Sequence, residues 1–143
     1  MKLPSLHRQT SELGKLIRSV FKSKAAFDII DRWWKLDSFQ SGGCVLAADA
    51  IQMAFGGELY AVASARHPFE HAVVKIGDAY YDSDGEHTAK QMLKKMWDFE
   101  ELDGVLVPCP DDIQDTPRDL DVSKELAELL RARTRRLSSR RPA

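Results

Sequence analysis

Between Cys44 and Phe55 the chain is apolar and alanine-rich, and Gly56-Gly57 follows at once. Such a stretch predicts a helix, and a glycine pair is a strong C-terminal stop. Ala47, Ala48, Ala50 and Ala54 are small enough to let that helix lie close against a sheet. The next residues supply the sheet. Leu59 to Ser64 reads as a strand, then His71–Ile76 and Ala79–Asp82 as two short strands across Gly77-Asp78, a two-residue hairpin turn.

The flanks are helical. Leu13, Leu16, Ile17, Val20 and Phe21 fall at helical spacing, with Thr10 or Ser11 as the cap and Gly14 a mild weakening. A second helix is expected from about Ser23, burying Phe27, Ile30 and Trp33 or Trp34, and Asp37 to Gly43 reads as a loop. Asp84-Gly85 reads as a turn, and Thr88 as the cap of a helix to about Trp97 that buries Met92, Leu93, Met96 and Trp97. Gly104 to Val107 reads as a strand ended by Pro108, followed by an extended loop to Asp121. Ser123 is the expected cap of a last helix using Leu126, Leu129, Leu130 and Leu137. The order α-α-α-β-β-β-α-β-α predicts an α+β fold, N-terminal helices on a small, mostly antiparallel sheet. One domain is expected over 1–143, with helices in 1–38, a core in 39–108 and a C-terminal helix and basic tail in 122–143.

Bulk properties exclude several classes. The 143 residues are 43% hydrophobic and 30% charged, with a net charge of −1, which gives no overall bias toward nucleic acid. Two cysteines do not make a disulfide framework. Met1 to Gln9 lacks the apolar core of a signal peptide, and no apolar run is long enough for a membrane span. The expectation is a reduced, cytoplasmic protein, with secretion lacking a cleavable signal left open.

Chemistry concentrates at three positions. Cys44 opens its helix, where unpaired N–H groups and the positive end of the helix dipole favour a thiolate. Gly42 and Gly43 leave room for a substrate backbone, and the Cys44 N–H with a side-chain donor such as Gln40 could form an oxyanion hole. If Gly77-Asp78 is the hairpin loop, Val73 lies opposite Asp82 and His71 opposite Asp84. His71, Val73, Tyr80, Asp82 and Asp84 then share one face. Either carboxylate could orient the His71 imidazole; Asp82 is preferred, because Asp84-Gly85 has turn chemistry. Each residue also has an ordinary use, the cysteine as a small core side chain and the histidine as a structural strand residue. Their combination points to a nucleophile, a base and an orienting group.

Ser41-Gly42-Gly43-Cys44 with its helix, then His71-Ala72-Val73-Val74 and Tyr80-Tyr81-Asp82, resembles the papain-like cysteine hydrolase superfamily. That group includes peptidases, NlpC/P60-type amidases, transglutaminase-like proteins and papain-fold toxins. The resemblance spans roughly Phe39 to Gly85. It implies a papain-like core, Cys44 as nucleophile, His71 as base and then acid, and Asp82 as orienter. The implied protein is a small hydrolase or acyltransferase of bacterial or phage type, acting on a peptide or other amide without a cofactor. The short Cys44-to-His71 separation leaves room for one helix, one strand and a loop, and no tryptophan adjoins the cysteine.

The remaining features are weaker. His67, His71 and His87 have poor zinc spacing, and Asp82-Ser83-Asp84-Gly85 lacks the later ligands of a calcium loop, so no metal is expected. Cys109, between Pro108 and Pro110, reads as a structural or incidental thiol rather than a second nucleophile. Arg131, Arg133, Arg135, Arg136, Arg140 and Arg141 make the C-terminus basic. A rival reading is a non-catalytic binding module that uses this arginine-rich helix. No aromatic platform accompanies it, so nucleic acid is an unlikely partner.

Overall fold

Apolar residues at helical spacing bury one side of α1 (Pro4–Phe21), where Ile17, Val20 and Phe21 are inaccessible to solvent. The computed structural model describes residues 4–33, 43–66, 70–100, 103–109 and 119–139. The helix starts at Pro4, well before the expected Thr10 or Ser11 cap. Proline's fixed φ suits a first helical turn, so Pro4 is itself a competent start. The second helix, α2 (Lys24–Trp33), buries Ala26, Ile29 and Ile30. Phe27 lies at its exposed rim, contrary to expectation, because the helix turns its Ala26–Ile30 side to the core. Trp34 and the Trp33 side chain lie outside the described residues.

The third helix, α3 (Cys44–Phe55), has the expected bounds and is buried from Cys44 through Ile51. Gly56 closes it, its N–H donating to the Gln52 carbonyl at 2.8 Å. Then come β1 (Glu58–Ser64), β2 (His71–Ile76), β3 (Ala79–Asp82), β4 (Gly85–His87), α4 (Ala89–Glu100), β5 (Gly104–Pro108) and α5 (Leu120–Ser139). The described residues thus form the expected α+β arrangement, with every strand pair antiparallel and the order β4-β3-β2-β1-β5.

The hairpin register is the one parity predicts. Val74 pairs with Tyr81, Lys75 with Tyr80 and Ile76 with Ala79, around Gly77 at φ 62°. Strand β4 was not expected. Gly85-Glu86-His87 pairs with Asp82, Tyr81 and Tyr80, which confines the turn to Ser83-Asp84. Helix α1 packs directly on this strand. A Cβ at Gly85 would lie 2.7 Å from the Gly14 carbonyl oxygen, and Gly85 holds φ 104°. Gly14, a weak point in an isolated helix, is what permits the close approach.

The sheet separates two apolar layers. Ala72, Val74 and Tyr81 face α1, α2, α3 and α5. Val62, Val73 and Tyr80 face Met92 and Met96 of α4. Helix α4 begins with a reciprocal cap: Gln91 N–H donates to Thr88 Oγ1 at 3.1 Å, and Thr88 N–H to Gln91 Oε1 at 2.9 Å. Trp97, expected to be buried, is 53% exposed, since the sheet contacts only the Met92–Met96 side. At α5 the cap is Asp119, whose Oδ1 accepts the N–H groups of Asp121 and Val122. Ser123 instead lies buried inside the helix and donates to the Leu46 carbonyl of α3 at 3.0 Å. Val122, Leu126, Ala127 and Leu130 form the buried side, while Leu137 is exposed.

Candidate functional site

Gly43 takes φ −99° and ψ 5° before α3, and no side chain caps the helix there. Its carbonyl accepts the first intrahelical bond, from Ala47 N–H at 3.1 Å. The Cys44, Val45 and Leu46 N–H groups have no backbone acceptor within the helix. Packing α3 on β2 brings the Cys44 sulfur to the start of that strand, where it accepts from the Ala72 and Val45 N–H groups and bonds the His71 ring.

His71 is fixed from its other side as well. Its Nε2 donates to Asp82 Oδ2 at 2.9 Å, and both side chains are 2% exposed. That leaves Nδ1 for the thiol. The two-residue turn at Gly77-Asp78 sets this geometry by placing Asp82 diagonally across from His71 on one sheet face. Asp84, the alternative carboxylate, points elsewhere: it takes Lys22 Nζ at 3.2 Å and Lys95 Nζ at 2.9 Å, and its N–H donates to Asp82 Oδ1.

The electrostatics follow from these contacts. Burial pushes the Cys44 thiol up, but the His71 ring and the two N–H groups outweigh it and hold the thiol below its ordinary value. Burial likewise pushes His71 down, yet Asp82 and Cys44 raise it to about 9. Asp82 is pushed up by burial and drawn far below the carboxylate range by His71, then Lys95 and His87. These contacts shift all three groups toward their charged forms: a thiol lowered, an imidazole raised and a carboxylate ionised behind it.

No family model matches this chain, and no curated protein or solved structure matches it.

Of the sequence-derived candidates, the structure brings Cys44, His71 and Asp82 together, with Gly43 at the helix start beside them. Gln40 and His67 lie outside the described residues. The Cys109 N–H donates to the Leu59 carbonyl at 2.9 Å, which places it at the opposite end of β1 from the Val62–His71 pairing. Among the described residues no group of three or more His, Cys, Asp or Glu is set to hold a metal ion. No helix there is long and apolar enough to cross a membrane.

Three basic groups surround the carboxylates: Lys95 and Lys22, to which sequence reasoning assigned no role, and His87, weighed there only as a zinc ligand. Lys95 Nζ bonds Asp82 Oδ2 at 2.5 Å, His87 Nδ1 lies 3.7 Å from Asp82 Oδ1, and Lys22 holds Asp84. Lys95 had a local cue. It stands three residues after Met92 and next to Met96, on the flank of the stripe that α4 lays on the sheet.

Proposed function

We propose that this chain is a cysteine-dependent hydrolase or acyltransferase of the papain-like type, acting on an amide or related acyl bond in a peptide or other amide-bearing substrate. The observation behind this reading is a single buried imidazole bonded on one side to a helix-terminal thiol and on the other to a carboxylate. Surface histidines and core cysteines have no need of that arrangement.

The chemistry follows from the positions. The Cys44 thiolate attacks the substrate carbonyl carbon, and the oxygen that gains charge is met by the Cys44 N–H at the start of α3. As the carbon–nitrogen bond breaks, His71 gives its Nδ1 proton to the departing amine, leaving a thioester and a neutral imidazole. His71 then takes a proton from water, or from an acceptor amine, as that nucleophile attacks the thioester. Collapse releases the acyl product and restores thiolate and imidazolium. Asp82 holds Nε2–H throughout, so that Nδ1 always faces the reacting atoms.

The rival binding module loses ground to the contacts of α5. Arg131 donates to the Met53 carbonyl at 2.8 Å and Arg133 to Ser19 Oγ at 2.8 Å, so two of its arginines are used within the fold.

The test is the rate of Cys44 alkylation by iodoacetamide against pH, in a Cys109→Ser background. The expected thiol titrates below about 8.5 and shifts upward in His71→Ala. A Cys44 thiol indifferent to His71 would remove the reading.

A further inference from the structure

Asp82 is almost wholly buried, yet it accepts on both oxygens: His71 Nε2 and Lys95 Nζ share Oδ2, while the Asp84 N–H takes Oδ1. A buried carboxylate is costly unless a cation stays beside it. Under the mechanism above, His71 is such a cation only half of the time. Once it has protonated the leaving amine it is neutral, and the thiolate charge has gone into the thioester.

We propose that Lys95 is a positioning residue, the permanent countercharge that keeps Asp82 ionised and gripping the His71 Nε2–H while a thioester occupies Cys44. The proposal rests on the hydrolase reading and concerns its second half-reaction. Were Asp82 to become protonated at that stage, its carboxyl would offer a donor where His71 also offers one. The imidazole would then be free to rotate or change tautomer, and Nδ1 would no longer be set to accept the proton of water.

The placement of Lys95 suits this role. Helix α4 is fixed by the Thr88–Gln91 cap and by Met92 and Met96, so the intervening Lys95 reaches the end of β3 from a rigid element. Its side chain is 22% exposed, at the margin of the site and within bonding distance of Asp82. The groups facing Asp82 come from every neighbouring element: His71 from β2, His87 from β4, Lys95 from α4 and Asp84 from the β3–β4 turn. Lys22, at the end of α1, reaches Asp84 rather than Asp82. Lys95 also bonds Asp84, so it straddles both carboxylates.

The experiment uses the full chain with Cys109→Ser and takes p-nitrophenyl acetate as the acyl donor. In the parent, a Cys44-dependent burst of p-nitrophenol reports acylation, and the steady state reports deacylation. Lys95→Met is expected to keep the burst and slow the steady state about tenfold, with Lys95→Arg restoring it. Loss of the nearby cation should also raise the His71 titration, followed by NMR of its ring carbons, by about one pH unit. If Lys95→Met does not fold, Lys95→Gln removes the charge while keeping a donor, and the same results are expected of it. A neutral variant with wild-type steady state and an unmoved His71 overturns the proposal alone. A parent chain with no Cys44-dependent burst overturns the hydrolase reading and this proposal together.

Discussion

At the scale of single residues, His71 works against its own burial. Without a partner, an imidazole 2% exposed would be neutral at physiological pH; Asp82 and Cys44 reverse that and hold it protonated to about 9. Asp82→Asn keeps an acceptor for Nε2–H but removes the charge, so the His71 value should fall toward or below its ordinary 6.5. The thiolate would lose its paired cation, and Cys44 alkylation at neutral pH should slow by about tenfold or more. A rate against pH profile measures this directly. Cys44 could be found in the sequence because glycines mark the start of its helix, and His71 and Asp82 because strand parity fixes which side chains share a face. Lys95 had only the cue of flanking the Met92–Met96 stripe, since its meeting with Asp82, 13 residues away, depends on where α4 crosses the sheet.

At the scale of elements, the segments that could be read are those whose local chemistry has one solution. Helix α3, ended by Gly56-Gly57, and the hairpin around Gly77-Asp78 appear with the expected bounds and register. Strand β4 did not, because three residues opened by a glycine look like a turn until a partner strand is present. Phe27 and Trp97 illustrate the same point for helices: spacing identifies an apolar side but not how far the neighbouring element covers it. The close contact between α1 and β4 yields a sharp expectation. Gly85→Ala must place a Cβ 2.7 Å from the Gly14 oxygen at φ 104°, and should destabilise the fold by about 2 kcal/mol or more, read from urea unfolding. Because Gly85 adjoins the Ser83-Asp84 turn, the same variant should also disturb the Asp84 N–H bond to Asp82.

At the scale of the whole molecule, the three titratable groups couple stability to pH with opposite signs. Asp82 is held below its unfolded value of 3.8, so its contribution is full above that value and is lost as pH falls. His71 is raised from 6.5 to about 9, so its contribution is full below 6.5 and is lost as pH rises through about 9. Cys44, held below its ordinary 9.0, has the sign of Asp82 and offsets part of the alkaline loss. Thermal midpoints should therefore be highest between about 4 and 6.5 and decline on both sides. In His71→Gln the alkaline decline between 6.5 and 9 should flatten, which scanning calorimetry across pH would check.

The carboxylate and the imidazole lie on two strands joined by a two-residue turn, whereas the thiol arrives on a helix from elsewhere in the chain. That helix is held in place by α5, through the Ser123 bond to Leu46 and the Arg131 bond to Met53. The reactive pair therefore depends on a contact between distant parts of the chain, where the hairpin depends on a local one. The thiol's local environment thus carries a signature of long-range order, since it is shaped by a helix whose Ser123 lies 77 residues further along the chain than Leu46.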